Sequence, residues 1–199
     1  MSSNVERVIV SIEGERIALG PLRRDLLPDY QRWINSFATQ RTVAQVPRPW
    51  TMEQEQRWIE GQLTAEKEAP FTIYEKSSMR SIGTTSVAGI DHTNGTAEFG
   101  ILIGEPDCRG KGYGTETASL MLDYAFTALG LKNVMLRVLA FNLAGLRAYQ
   151  KAGFKEIGRR REAHLMNDRR YDVVLMDCLA SEFKSRNLAR IFTPDRPRG

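Results

Sequence analysis

Arg109-Gly110-Lys111-Gly112-Tyr113-Gly114 decides the fold. Three glycines stand at alternate positions inside the loop Asp107–Glu116. An apolar run from Phe99 to Ile103 precedes them, and a helix-like pattern follows from Thr115. A strand, a glycine loop and a helix start, in that order, make an anion site: backbone N–H groups point into the loop, and the helix dipole adds partial positive charge. Arg109 and Lys111 add full charges, so the loop reads as the seat of a pyrophosphate. Two nucleotide motifs are excluded. A P-loop needs four residues between its glycines and then Gly-Lys-Ser/Thr, which is absent here. A dinucleotide fingerprint needs G-x-G-x-x-G and a later acid for the ribose, whereas this loop is G-x-G-x-G and the next strand carries Arg137. On the loop alone, a purely structural glycine turn stays open.

Outward from the loop, the hydrophobic periods give an element order. Val8–Ile12 and Arg16–Leu19 read as two strands around Glu13-Gly14. Tyr30, Trp33, Ile34 and Phe37 fall at i, i+3, i+4 and i+7, which predicts one amphipathic helix. Prolines 47 and 49 cannot continue it. Thr51 followed by Gln54 is a capping box that opens a second helix, through about Thr64. Strands follow at 71–76, 81–90 and 96–103, the last two joined through Asn94-Gly95. Ala118, Met121, Leu122, Ala125 and Leu129 make the stripe of a long helix that Gly130 ends. A strand at 133–140, a short helix 143–152 stopped by Gly153, and strands at 154–157 and 171–179 joined through Asn167-Asp168 complete the order. Runs of strands with inserted helices, rather than strict βα alternation, predict an α+β fold with one mixed, mostly antiparallel sheet.

The bulk numbers bound the function classes. The chain has 199 residues, 42% hydrophobic and 26% charged, which suits one folded domain. No apolar run is long enough to cross a bilayer, and the start does not resemble a signal peptide. Two cysteines, Cys108 and Cys178, give no disulfide framework and suit a cytoplasmic protein. His92 and His164 stand alone, so no metal site is expected. The net charge of +4 is compatible with an anionic ligand. None of the aromatic-basic interleaving of nucleic-acid modules is present, so a nucleic-acid partner is not expected. Residues 7–180 are read as the domain and 181–199 as a basic tail, mobile or reaching to a partner subunit.

Downstream of the loop lies Asn142-Leu143-Ala144-Gly145-Leu146-Arg147-Ala148-Tyr149-Gln150-Lys151-Ala152-Gly153-Phe154. The glycine loop matches R/Q-x-x-G-x-G/A, and this second segment is similar to N-x-x-[AGS]-x-x-x-Y-x-K-x-G-F. The two together resemble the GNAT acetyltransferase family, in the branch of ribosomal-protein alanine and spermidine acetyltransferases. The resemblance is clear over 81–179 and weaker over 8–75. It implies the GNAT fold and an N-acetyltransferase that moves acetyl from acetyl-CoA to a primary amine in a ternary complex. The acceptor would be a protein N-terminus or a small amine; a non-catalytic acyl-CoA-binding domain and a polyamine acetyltransferase are the alternatives. Backbone groups of Ile101, Leu102 and Ile103 would pair with the pantetheine arm, one amide being freed by a bulge to polarise the thioester. The pyrophosphate would take the amides of Arg109, Gly110, Lys111, Gly112, Tyr113, Gly114 and Thr115, with Lys151 as a further cation. Tyr149 would be the general acid, Asn142 would orient the pantetheine or a water, and Glu98 would take a proton through water. Trp33, Phe37 and above all Trp50 would wall the acceptor site, with the hairpin Arg161–Arg170 as a lid. The acid-free loop Arg41–Arg48 argues against a polycation, although Glu53 and Glu55 weaken that argument. Related enzymes are often dimers, so a homodimer is expected.

Overall fold

The computed structural model describes residues 8–43 and 47–195. The expected frayed start 1–6, Ala44, Gln45 and Val46 of the acid-free loop, and the last four residues of the tail lie outside them. Eight strands form one sheet in the order β1-β2-β3-β4-β5-β6-β8-β7. They are β1 (Ile12–Glu13), β2 (Ile17–Gly20), β3 (Glu68–Glu75), β4 (Arg80–Asp91), β5 (Thr96–Ile103), β6 (Asn133–Leu139), β7 (Lys155–Met166) and β8 (Arg169–Leu179). All neighbours are antiparallel except β5 and β6, which are parallel. A parallel pair needs a crossover, and here the helix after the glycine loop provides it. Only Thr96↔Asn133, Ala97↔Val134 and Glu98↔Met135 pair across it. Beyond Glu98, β5 stays on β4 as far as Gly83↔Ile103, while β6 stays on β8 as far as Leu139↔Val173. The strands part into a V, and the β6-facing edge of β5 has no strand partner among the described residues. The register of β4 on β5 is regular from Ile103 to Glu98, so this free edge comes from the splay and not from a bulge at Ile101–Ile103.

The helices are α1 (Leu27–Ile34), α2 (Phe37–Gln40), α3 (Met52–Thr64), α4 (Tyr113–Asp123) and α5 (Leu143–Ala152). The single helix expected through Phe37 is two helices. Asn35 breaks it: its amide nitrogen donates to Gln31 O and Trp50 O, and its Oδ1 accepts from Trp50 N. The chain turns there, and Phe37 ends 65% exposed. The capping box of α3 forms, Thr51 accepting from Gln54 N and Gln54 from Thr51 N. β7 is far longer than the expected 154–157. Its exposed run Arg159-Arg160-Arg161-Glu162 shows no apolar alternation because β7 is an edge strand, broken by register shifts at Glu156/Gly158 and Arg160/His164. Asn167 and Asp168, both at positive φ, turn it into β8.

The main core lies where α4 packs on the sheet, around Ile17, Val87, Phe99, Met121, Leu136 and Met176. A smaller cluster of Leu22, Tyr30, Trp33 and Ile59 sits under α1 and α3. α4 ends in a wider turn, Leu129 N donating to Tyr124 O. Asp123, 2% exposed, sits before that turn. Its carboxylate accepts from Thr127 Oγ1, Ser185 Oγ and the backbone amides of Arg186, Asn187 and Leu188. The segment expected as a mobile tail or a reach to another subunit is thus tied to its own domain through Leu188, which is buried. Burial alone would push the Asp123 carboxyl up, but these hydrogen bonds hold it below the usual carboxylate range. Asp123→Ala leaves donors unpaired and is expected to cost about 3 kcal/mol at pH 7. A depressed folded-state value means the stabilisation is present above the unfolded carboxyl value near 4 and lost as pH falls through the folded one. Urea unfolding at pH 7 and pH 3 should therefore show a deficit that shrinks in acid; an equal deficit at both would contradict this.

Candidate active site

The glycine loop fills the mouth of the V. Gly112 is the N-cap of α4 at φ +86, a conformation open to glycine at little cost. The backbone amides of Gly110 through Thr115 donate to no acceptor among the described residues, the first bond of α4 being Glu116 N to Gly112 O. A helix start with its donors unsatisfied and its dipole exposed is built for an anion. A Cβ placed at Gly110 or Gly114 would meet nothing within 4 Å, so the cradle is open.

Arg109 has a different place from the expected one. Its amide donates to Pro106 O, and its guanidinium to Ile103 O (3.1 Å), Thr39 Oγ1 (2.7 Å) and Gly104 O. It fastens the loop to the end of β5 and to α2 through Nε and Nη2, and the residue still lines the cleft beside the loop. Tyr113 also points away: its hydroxyl donates to Glu75 Oε1 at 2.8 Å. Lys111 O accepts from Arg16, which also pairs with Glu116, so the β1–β2 hairpin braces the loop from behind.

The V encloses a cleft of about 660 Å³. Ile101, Leu102 and Ile103 line one side, Leu136 and Val138 the other, with Gly110, Gly114 and Thr115 at one end and Asn142, Tyr149 and Lys151 along α5. The structure thus brings the two motifs together. Asn142 has a job inside the protein: its Oδ1 accepts from Gly145 N at 3.0 Å and caps α5. A Cβ at Gly145 would come within 2.7 Å of the Asn142 amide, which explains the small residue there. The Tyr149 ring packs edge-on against Phe99 and Phe154, with centroids 6.0 and 6.2 Å away. Its hydroxyl has no partner among the described residues, and burial pushes its pKa up to about 12. Glu98, at the fork of the V, is paired with Arg137 (Oε1 to Nε 2.7 Å). Arg137 of β6 therefore meets the acid on β5. Cys108 lines the cleft too, and burial raises its thiol pKa.

A second cavity of about 240 Å³ lies on the other side of β5, beneath α1 and α3. It shares Val43, Gly100, Ile101 and Leu102 with the cleft, so the two open on the same stretch of β5. Trp50 lines it as expected, and so does Trp33, which is buried at 1% exposure with its indole N–H on Glu105. Phe37 lines neither cavity, and no residue of the hairpin 161–170 does either, so neither the expected wall nor the expected lid is found there.

Glu55, in the sequence a charge that only weakens the case against a polycation, lines this second cavity at 4% exposure. It shares the inward face of α3 with Trp58, Ile59 and Gln62, at spacings of three, four and seven. An acid in phase with the apolar stripe was the signal. Its carboxylate has no hydrogen-bond or ion-pair partner among the described residues, and burial pushes its pKa up to about 7. A raised folded-state value means stability is lost as pH rises from the unfolded value near 4.5 through 7. Glu55→Gln is therefore expected to be more stable than the parent by about 3 kcal/mol at pH 8 and by nothing below pH 4. Denaturant unfolding across that range checks it; a destabilised variant at pH 8 would contradict it.

A sheet splayed beside a helix start with free amides, and a second cavity on the same strand, can hold an extended anionic ligand in the cleft and a second molecule beside it. Residues 16–155 match the family described as Acetyltransferase (GNAT) domain, and the chain belongs to it. It is 33% identical over 158 residues to the alpha/beta-tubulin-N-acetyltransferase 9 of Homo sapiens, covering 72% of this chain and 74% of that one. It is 28% identical over 186 residues to the spermidine N(1)-acetyltransferase of Escherichia coli K12, covering 89% and 91%. The crystal structure of spermidine N-acetyltransferase from Vibrio cholerae in complex with CoA and spermine superposes with a TM-score of 0.77 at 26% identity, over 84% of this chain and 97% of that one. The protein is an acetyl-CoA-dependent N-acetyltransferase of GNAT fold, α+β with a mixed sheet. Among the described residues no helix is long and apolar enough to cross a membrane.

Proposed function

We propose that the enzyme transfers acetyl to a primary amine by direct attack within a ternary complex, the acceptor being a protein N-terminus or a small amine. The observation that carries this reading is the stretch Gly100–Leu102, which faces the cofactor cleft and the second cavity at once. The pyrophosphate takes the free amides of Gly110 to Thr115, with Lys151 as a counter-charge. The pantetheine runs along Ile101–Ile103 as an added strand, and an unpaired amide there holds the developing oxyanion. The amine nitrogen forms its bond to the acetyl carbon, the C–S bond breaks, and the departing sulfur receives a hydrogen bond from Tyr149. The Nδ2 of Asn142, on the side chain whose Oδ1 caps α5, orients the pantetheine.

Glu98 takes the amine proton through water, using the oxygen that Arg137 leaves. Glu98→Gln is then expected to lower kcat by about tenfold near pH 7 and less at pH 9, where more amine arrives neutral. An unchanged pH profile would remove Glu98 from the mechanism. The buried state of both cysteines suits a reducing cytoplasm, and a homodimer is the assembly proposed from the family. A second reading, a polyamine acceptor, is favoured by the spermidine acetyltransferases among the relatives. Free-thiol release from acetyl-CoA over a panel of α-amino peptides, monoamines and spermidine tests both. No amine-dependent thiol release on any of them would leave only an acyl-CoA-binding domain.

A further inference from the structure

The second cavity carries one charge. Among its lining residues only Glu55 and Tyr30 titrate, and the Tyr30 hydroxyl is engaged with Thr72 at 2.6 Å, its pKa pushed up to about 12. The walls facing Glu55 are apolar or neutral: Leu22 before α1, Trp33 on α1, Trp58 on α3, Thr84 and Thr85 on β4, and Leu102 on β5. A partnerless carboxylate that opens only into this cavity, on a residue 4% exposed, is expensive to keep, because a charge so placed loses much of its hydration. Such a group persists where a ligand supplies the missing partner, as a cation would here.

We infer that this cavity selects an acceptor with a single cationic nitrogen on a small apolar body, and that Glu55 is the residue that receives that nitrogen. The inference rests on the acetyl-transfer reading above and names its substrate class. One carboxylate satisfies one ammonium; a further cationic nitrogen of a polyamine would be left among tryptophan and leucine side chains without a counter-charge. The 240 Å³ volume is below that of cavities that hold drug-sized ligands, which limits the body to something near one ring or one branched side chain. A free monoamine and the first residue of a peptide with an apolar side chain share this chemistry.

The test compares 2-phenylethylamine, a short peptide beginning with Leu, and spermidine as acceptors for the parent enzyme and for Glu55→Gln. The parent is expected to favour the monoamine or the peptide over spermidine by about tenfold or more in kcat/KM, and which of the two prevails identifies the source. Glu55→Gln is expected to raise the KM of the favoured acceptor by about tenfold or more. The nitrogen that Glu55 receives is the one that attacks, so kcat is expected to fall as well, while the KM for acetyl-CoA stays within about threefold. Calorimetry in two buffers adds a readout that a structural role would not move. Cation binding at pH 7 should release a fraction of a proton from the parent and none from Glu55→Gln. Preference for spermidine, or an unchanged acceptor KM in Glu55→Gln, overturns the inference while leaving acetyl transfer intact. Absence of turnover with every amine overturns both.

Discussion

Tyr149→Phe is expected to lower kcat by about 10² or more while the KM for acetyl-CoA stays within a few-fold. The substitution removes one oxygen and keeps the ring, whose edge-on contacts with Phe99 and Phe154 need no hydroxyl. Stability and cofactor binding should therefore be near those of the parent. What is lost is the hydroxyl proposed to hydrogen-bond the departing sulfur. Burial holds the phenol near pKa 12, well above a thiol at about 8.5, so Tyr149 keeps its proton at every working pH. In the proposed mechanism it hydrogen-bonds the sulfur as charge builds, with water restoring any proton that passes over. The sign of the pH dependence follows: the parent rate should climb through pH 9 as the amine becomes neutral, with no falling limb from Tyr149 ionising. Rates at saturating amine from pH 6 to 10 check both points. A Phe variant with parental kcat would remove Tyr149 from the chemistry, and a falling limb near pH 8 that the variant abolishes would contradict the raised phenol pKa.

The second large effect is expected of Gly114→Asp. An acid in the first turn of a helix is favourable toward the dipole by about 0.3–1 kcal/mol, and a Cβ at Gly114 has open space, so folding should be unharmed or improved. The same carboxylate would stand in the cradle that the amides of Gly110 to Thr115 form. Two like charges 4 Å apart near a protein surface repel by about 4 kcal/mol, which is a factor of several hundred or more in Kd. Acetyl-CoA binding by calorimetry should thus be weakened by two orders of magnitude or more in a protein that melts no lower than the parent. A structural glycine turn makes the opposite forecast: a lower melting temperature and an unchanged Kd.

These two residues also mark what was legible in the sequence. The spacing of Gly110, Gly112 and Gly114 and the phase of Asn142 and Tyr149 are local properties, and the fold places them as expected, at the mouth and flank of one cleft. The sheet class was legible for the same reason: strand alternation and the caps at Thr51, Gly130 and Gly153 depend on neighbours in the chain. Contacts between distant segments were not legible. Arg109 carries charge and sits in the anion loop, yet its donors go to Ile103, Gly104 and Thr39. Phe37 keeps helical phase with Trp33, yet the side chain of Asn35 ties the end of α1 to Trp50 and the chain turns aside there. The tail looked like solvated basic chain because Asp123, which holds it, lies 62 residues from Ser185. Glu55 could have been singled out, since an acid on the apolar face of an amphipathic helix is costly unless something pairs with it.

Direct transfer forms no covalent intermediate on the enzyme, yet the cleft holds a residue that could carry one. Cys108 lines it and is a potential acyl carrier, but burial raises its thiol pKa, and its sulfur already accepts a hydrogen bond from Arg80 at 3.1 Å. Initial rates with acetyl-CoA and the acceptor amine both varied decide the matter, with mass spectrometry of the enzyme held in acetyl-CoA alone. Direct transfer gives intersecting double-reciprocal lines and an enzyme of unchanged mass; parallel lines together with an acetyl group on Cys108 would contradict it.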